Sequence, residues 1–181
     1  MTDDLLTRLD ELTREVAYLR DRQDILDCIS RYPRGIDRMD MDILRSVYHP
    51  DAIDEHGSKV TDRAGFLQFI DSIRDDFRMR LHNITTHNCE IDGRESHCDS
   101  YVLFGLATND GKNVLLGGGR YVDRLEKREG AWKIAHRRTF VDWMIDADNS
   151  PFNSEQAKAW GYPMSRKDRT DDSYQRPLRP L

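Results

Sequence analysis

Four long segments with the composition of strands follow one another in the second half of the chain, and they constrain the fold most. The turn sequences Asp92-Gly93, Asn109-Asp110-Gly111 and Glu129-Gly130 separate them, and such sequences are typical of β-hairpins. Strands joined by hairpins pair in antiparallel order. The sequence therefore predicts an antiparallel meander, whose strands are residues 79–92, 95–108, 113–127 and 131–144.

The first half of the chain is predicted to be mainly helical. Its first helix has a narrow apolar seam at helical spacing. The residues of this seam are Leu5, Leu9, Leu12, Val16, Leu19 and Leu26. A short second helix between Asp37 and Tyr48 has Asp40 as its expected N-cap, and a third begins near Thr61 or Asp62. A short strand, 52–56, lies between them. Helices followed by a long sheet predict an α+β fold in which the curved sheet wraps round the helices and leaves a conical cavity.

The sequence Arg31-Tyr32-Pro33-Arg34-Gly35-Ile36-Asp37 is predicted to end the first helix. Pro33 removes a helical hydrogen bond, and Gly35 permits the backbone angles of a helix end. A phenol and a carboxylate, Tyr32 and Asp37, would then be presented where the chain leaves the helix. Such a position can form the floor of a pocket.

Composition excludes several classes of protein. With 181 residues, 38% of them hydrophobic, the chain can form one domain with a substantial core. It carries 28 Lys+Arg and 33 Asp+Glu, and no basic block interleaved with aromatics precedes the tail, so we expect no nucleic-acid partner. Neither a signal peptide nor an apolar run of membrane-spanning length is present, so we expect a cytoplasmic protein with no membrane partner.

The sequence predicts neither a cofactor nor a metal. The triplet Gly117-Gly118-Gly119 lies inside a predicted strand, where glycines indicate a bulge or a bend rather than a phosphate loop. Cys28, Cys89 and Cys98 lack CxxC and CxxH spacing, which favours reduced thiols packed in the core. No histidine pair has HxxxH spacing, so a metal would require strand histidines to converge in space. The histidines considered are His49, His56, His87, His97 and His136.

The chain divides by pattern into a helical extension, residues 1–18, a domain, 19–146, and a tail, 147–181. The seam of the extension either packs on a neighbouring subunit or caps the core of its own chain. The tail is polar and rich in turns, which is typical of loops or disorder. Its aromatic residues would allow it to dock: Phe152, Trp160, Tyr162 and Tyr174.

The order of elements and several short motifs resemble the NTF2-like superfamily, in particular its SnoaL-like branch of polyketide cyclases, dehydratases and isomerases. The resemblance covers about residues 19–144. Its carriers are Arg31 to Asp40, Tyr48-His49-Pro50-Asp51-Ala52, Leu81-His82, Ile91-Asp92-Gly93, Gly119-Arg120-Tyr121-Val122-Asp123 and Trp132 to Arg138. The resemblance implies an NTF2-like cone, no cofactor, and a homo-oligomer that is either a trimer or a dimer.

The resemblance also implies a set of catalytic residues. In similar lyases an aspartate at the end of the first helix pairs with a histidine on the sheet, and Asp37 and His82 match these positions. Tyr32 matches a tyrosine beside the departing hydroxyl, and Arg137 matches an arginine that points into the cavity. Imidazole is a suitable base near neutrality, a carboxylate fixes its tautomer, and a phenol and a guanidinium stabilise developing negative charge. The predicted substrate-binding residues are Tyr48, Tyr101, Tyr121 and Arg138.

Each catalytic candidate has a structural alternative. Asp37 could cap the second helix, and His82 could be a hydrogen-bonded structural histidine. Tyr32 could pack with its hydroxyl at the surface. Regular alternation on the last strand places Arg138 inside, so the choice of Arg137 requires the resemblance or a bulge.

These observations predict a cofactor-independent lyase that uses a His/Asp pair on a small hydrophobic, hydroxylated aromatic or polycyclic substrate. The expected reaction is dehydration or the retro-aldol loss of a small aldehyde. One alternative is a ketosteroid-type isomerase. Another is a non-catalytic module that binds a ligand or a protein, for which Asp37 and His82 would lie too far apart to pair.

Overall fold

The computed structural model describes residues 2–180 of the chain. The helices within this range are α1 (Thr2–Asp37), α2 (Met41–Val47), α3 (Arg63–Ser72) and α4 (Glu155–Ala159). The strands are β1 (Tyr48–His56), β2 (Lys59–Asp62), β3 (Met79–Asp92), β4 (Glu95–Ala107), β5 (Asn113–Arg128) and β6 (Ala131–Asp148). Single 3-10 turns at Ser150–Asn153 and Asp172–Tyr174 belong to the tail.

The strands form one six-stranded sheet in the order β2-β1-β6-β5-β4-β3. From β3 to β6 it is the predicted antiparallel meander. β1, however, pairs with β6 in parallel, so the sheet is mixed. Parallel neighbours need a long crossover, and α3 together with the rest of the meander supplies it. The sequence prediction missed β2, which is only four residues long and half of a hairpin with β1.

The first helix ends at Asp37, one turn later than Pro33 indicated. A proline in a helix removes one hydrogen bond, and here the buried side chains of Tyr32 and Ile36 hold the following turn against the core. Gly35 has a packing role instead of a terminating one, since a Cβ there would lie 2.7 Å from Leu44 Cδ2 on α2. The left-handed residue after the helix is Met39, with φ 48°.

The two halves of α1 have different surroundings. From Ile25 onward its apolar side chains are buried in the core, apart from the partly buried Leu26. The earlier seam, from Leu5 to Leu19, is exposed along its length, so it does not cap the core of its own chain. At about 1.5 Å per residue, the first 18 residues of this helix extend about 27 Å.

The core lies between the helices and the concave face of the sheet. Its members come from α1, α2, α3 and all of the long strands. The three cysteines are free and buried, as expected. The register of β5 against β6 shifts between Gly118 and Gly119, which places the predicted bulge at the glycine triplet.

The tail contacts the turn between α1 and α2. Arg169 forms an ion pair with Asp40, which also accepts a hydrogen bond from the hydroxyl of Tyr174 at 2.8 Å. Arg38 forms a further ion pair with Asp171. Trp160 and Tyr162, in contrast, are exposed. Within residues 2–180, no helix combines the length and the apolar character needed to cross a membrane.

Candidate active site

Asp37 and His82 form a two-point contact between the end of α1 and the start of β3. The Nδ1 of His82 lies 2.7 Å from Asp37 Oδ1, and the backbone N–H of His82 donates to Asp37 Oδ2 at 3.0 Å. Because an ionised carboxylate can only accept, Nδ1 carries the proton, and in the neutral ring the lone pair is on Nε2. The side chains are 13% and 9% exposed. This arrangement fixes both the position and the tautomer of the imidazole.

Asp37 does not cap α2, which was the structural alternative to a catalytic role. The N-cap of α2 is Asp40, whose side chain accepts hydrogen bonds from the backbone N–H groups of Asp42 and Ile43. Both oxygens of Asp37 are bonded to His82 instead. The sequence had predicted this cap correctly, which leaves Asp37 free for the contact with the sheet.

An apolar platform lies beside His82 on the concave face. Directly opposed residues share a face of the sheet, and one such row runs from His82 through Phe104 and Gly117 to Met144. The Phe104 ring stacks with the imidazole at 6.0 Å and covers Gly117, where a Cβ would collide with it. Met144 is 56% exposed. A flat apolar group can therefore lie across this row, next to Nε2.

The deep part of the cone is filled by aromatic side chains. The Tyr32 ring lies 5.3 Å from that of Tyr121, 6.1 Å from that of Tyr48 and 6.2 Å from that of Phe66, and all four residues are buried. The hydroxyl of Tyr32 therefore does not reach the surface. Burial raises the pKa of Tyr32 well above its ordinary value. A cleft of about 530 Å³ beside Trp132 lies outside the cone and holds neither residue of the Asp37–His82 pair.

Arg137 lies beneath this cluster and is fully buried. Its Nε and Nη2 donate to the two oxygens of Asp123 at 2.7 Å each. Its guanidinium lies 4.0 Å from the centre of the Tyr32 ring and 4.2 Å from that of Tyr121. Burial by itself lowers the pKa of Arg137, but the Asp123 carboxylate holds it well above the ordinary value. The remaining nitrogen, Nη1, is buried without a hydrogen-bond partner.

Two predicted substrate-binding residues lie on the wrong face of the sheet. The register of β6 shifts between Ile134 and His136, so Arg137 turns inward and Arg138 turns outward. Arg138 pairs with Glu55 and is 55% exposed. Tyr101 is 46% exposed and lies opposite Arg120, on the face away from its buried neighbours in β4. Regular alternation was wrong for Arg138 because one residue of the strand is extruded.

A buried acid that the sequence reasoning missed lies beside the aromatic cluster. The hydroxyl of Tyr48 donates to Asp54 Oδ2 at 2.6 Å, whereas Asp54 Oδ1 is buried without a hydrogen-bond partner. Burial raises the pKa of Asp54 to about 6, although the bond from Tyr48 opposes this rise. Burial also lowers the pKa of His56, whose Nδ1 is 3.8 Å from Asp54, to about 4. Alternation with the buried Ala52 was the available signal.

The cone of helices inside a curved sheet, with a histidine and an aspartate joined across it, defines an NTF2-like protein. The chain belongs to the SnoaL-like domain family, which matches residues 17–138. The resemblance in the sequence is thereby confirmed, as is the α+β fold.

Several solved structures share this fold. The hexachlorocyclohexane dehydrochlorinase LinA type 3 of Novosphingobium barchaimii is 20% identical, with a TM-score of 0.68 over 74% of this chain and 94% of that one. A candidate scytalone dehydratase of Novosphingobium aromaticivorans is 19% identical, with a TM-score of 0.67 over 72% and 89%. Rv3472 of Mycobacterium tuberculosis, a protein of unknown function, is 27% identical, with a TM-score of 0.62 over 68% and 77%. No curated protein matches the chain significantly.

Proposed function

We propose that this chain is a cofactor-independent lyase in which His82 is the general base and Asp37 orients it. The observation that carries the proposal is the two-point contact between them, with Nδ1 of His82 2.7 Å from Asp37 Oδ1. A base must present a free lone pair to the substrate, and this contact leaves Nε2 available. The nearby carboxylate stabilises the imidazolium that forms.

In the proposed dehydration, Nε2 of His82 accepts a proton from a carbon of the substrate. The electrons of that C–H bond form a double bond, and the adjacent C–O bond breaks. The leaving hydroxide takes the proton from the imidazolium, so water is released and His82 becomes neutral again. For the Tyr32 hydroxyl to donate a hydrogen bond to the leaving oxygen, the substrate must enter among the aromatic side chains that bury this phenol. Arg137 acts through the Tyr32 ring, 4.0 Å away, where its positive charge makes the phenol a stronger hydrogen-bond donor to the leaving oxygen.

The surroundings of His82 support an apolar substrate. Its ring stacks on Phe104, and the row of residues that continues across the sheet ends at Met144. Tyr48 and Tyr121, which were predicted to bind substrate, are buried around Tyr32 and shape the cone at that end. Two proteins of the same fold are named for eliminations, a dehydrochlorination and a candidate dehydration, which supports elimination over other reactions. We propose a small hydroxylated aromatic or polycyclic compound.

Incubation with hydroxylated aromatics and steroids, followed by mass spectrometry, tests the proposal. We expect a product that has lost water or, in a retro-aldol cleavage, a small aldehyde such as formaldehyde. A product of unchanged mass would instead indicate an isomerase. If no compound gives a product, and if replacing His82 or Asp37 does not change ligand binding, a non-catalytic module is favoured.

Replacement of the base is the sharper test. His82→Ala is expected to lower kcat by about 10²- to 10⁴-fold, the usual contribution of general base catalysis. His97→Ala is the matched control, because His97 is an exposed histidine on the neighbouring strand β4. An unchanged rate in His82→Ala, with an intact fold by circular dichroism, would remove His82 from the mechanism.

A further inference from the structure

A second group of polar side chains lies on the concave face, away from the Asp37–His82 pair. Cys89 on β3 is directly opposed to Cys98 on β4, and His87 is opposed to Ser100 one row away. One ligand atom from each of His87, Cys89 and Cys98 lies within 4.8 Å of the other two. The sequence prediction of no metal considered spacing along the chain, whereas this group is formed by the register between two strands.

The histidine of this group has a nitrogen that is not used by the protein. Its Nδ1 is 2.8 Å from the hydroxyl of Ser100, and its Nε2 is buried without a hydrogen-bond partner. Buried polar atoms are usually paired, so this orphan points to a missing ligand. A hydrogen bond from one ring nitrogen is also how proteins orient a histidine whose other nitrogen binds a metal.

The dimensions of the group suit a metal ion. An ion at the centre of a triangle with sides of at most 4.8 Å lies within about 2.8 Å of each corner. Zinc bonds are about 2.3 Å to sulfur and 2.0–2.1 Å to nitrogen, so side-chain movements of about half an ångström would complete them. Two thiolates also balance the charge of a divalent cation in a buried place.

A cleft of about 330 Å³ provides access for a cation. Its lining has three carboxylates against one guanidinium and also includes a serine: Glu90, Asp92, Glu95, Arg124 and Ser96. The hydroxyl of Ser96 is 3.8 Å from the sulfur of Cys98. An acidic cleft therefore ends one side chain away from the thiols, and its charge raises the local concentration of cations.

We propose that His87, Cys89 and Cys98 bind a thiophilic divalent cation, with zinc as the expected occupant. The two thiols must lose their protons on binding, and the two sulfurs and the imidazole then hold β3 to β4. The chemistry of the donor set favours zinc over magnesium or calcium, which require oxygen ligands. This site is independent of the proposed reaction at His82.

Titration of the chelator-treated, reduced full-length protein with Co²⁺ tests this site, because bound thiolates give cobalt a charge-transfer absorption. We expect saturation at one Co²⁺ per chain and loss of the absorption when Zn²⁺ is added. Cys89→Ser is expected to lose about half of the absorption and to bind cobalt at least tenfold more weakly. His87→Gln is expected to keep the absorption at saturation and also to bind at least tenfold more weakly.

Cys28→Ser is the matched control, because Cys28 is a third buried thiol and contacts the Val47 carbonyl instead. It is expected to bind cobalt as the wild type does. Circular dichroism of each variant separates a lost site from a lost fold. Wild-type protein with three reduced thiols and no charge-transfer absorption would overturn the proposal, as would unchanged cobalt binding in a folded His87→Gln variant.

Discussion

At the scale of single residues, Asp37 uses both of its oxygens on one histidine. In Asp37→Asn, one of these oxygens becomes an amide nitrogen, which would face either Nδ1–H or the backbone N–H of His82. The ring would then turn over or change tautomer, and we expect kcat to fall by about 10²- to 10⁴-fold with little change in unfolding temperature. Steady-state kinetics with a substrate from the panel measures this.

The control for that substitution is Asp24→Asn, an exposed carboxylate on the same helix. It makes the same chemical change outside the cone and is expected to leave kcat unaltered. Equal rates for Asp37→Asn and the wild type would show that Asp37 positions nothing that the reaction needs.

The buried Asp54 makes a prediction about stability and pH. Its pKa in the folded protein is about 6, above the ordinary value of 3.8, so its contribution is fully present below about pH 3.8 and is lost as the pH rises through 6. Because Asn does not titrate, the Asp54→Asn variant does not lose stability at this position as the pH rises. The unfolding free energy of the variant, minus that of the wild type, should therefore rise by about 2 kcal/mol between about pH 4 and pH 7.

Urea unfolding from about pH 2 to pH 7 measures the difference, and Glu55→Gln on the same strand is the control of opposite sign. Bonds from Arg138 and from His136 lower the pKa of Glu55 from 4.5 to about 2. The wild type thus gains stability from Glu55 as the pH rises from about 2 to about 4.5, and the corresponding difference should fall over that lower range. A flat profile for Asp54→Asn would mean that the buried carboxyl titrates as it does in the unfolded chain.

At the scale of elements, β5 and β6 approach so closely that only glycine fits at position 119. A Cβ at this position would collide with the carbonyl oxygen of Phe140. Because that oxygen belongs to the backbone, the bulge would have to open, and we expect Gly119→Ala to lower the unfolding free energy by about 1–3 kcal/mol. Denaturant unfolding measures this.

Gly105→Ala is the matched control on β4, because a Cβ there would make only an ordinary contact, 3.5 Å from Leu116 Cδ2. It is expected to change stability much less. Similar losses for both variants would mean that the strand loses stability through its glycines in general and not through the bulge.

The helices and strands also show which parts of the fold could be predicted from the sequence. Hairpin turns at Asp92-Gly93 and Glu129-Gly130 mark where β3 and β5 end, because they are local signals. The parallel pairing of β1 with β6 and the residue extruded before His136 depend on distant contacts, so neither follows from local pattern. The Asp37–His82 pair was predictable through the resemblance.

Other parts of the candidate site were not predictable in this way. The bidentate bond from Arg137 to Asp123 requires the register of β5 against β6, and this register contains the bulge. The group of His87, Cys89 and Cys98 likewise requires two strands to be aligned correctly. Such cross-strand contacts become visible only when the pairing of strands is known.

At the scale of the whole molecule, residues 2–180 include two exposed apolar surfaces outside the tail. One is the seam of α1, and the other is the outer face of the sheet around Tyr101, Leu103 and Trp143. Exposed apolar patches of this kind mark contacts with other molecules. We propose that they join copies of this chain in a homo-oligomer, which would give Tyr101 a role at an interface instead of in the substrate cavity.

Removal of residues 1–18 is expected to reduce the mass of this oligomer while His82-dependent turnover per chain persists. Leu9→Glu together with Leu12→Glu places charges in the seam without shortening the helix and should have the same effect. Multi-angle light scattering measures the mass. A deletion variant with the same number of subunits as the full chain would show that the seam does not contribute to assembly.

The contact between the tail and Asp40 bears on the order in which a ribosome makes this protein. Arg169 and Tyr174 donate three hydrogen bonds to Asp40, which begins α2 three residues after Asp37. These donors are synthesised about 130 residues later than Asp40. The sheet and the histidine can thus assemble before the tail is made, whereas the turn behind the Asp37 carboxylate is secured only once residues 169–174 have left the ribosome.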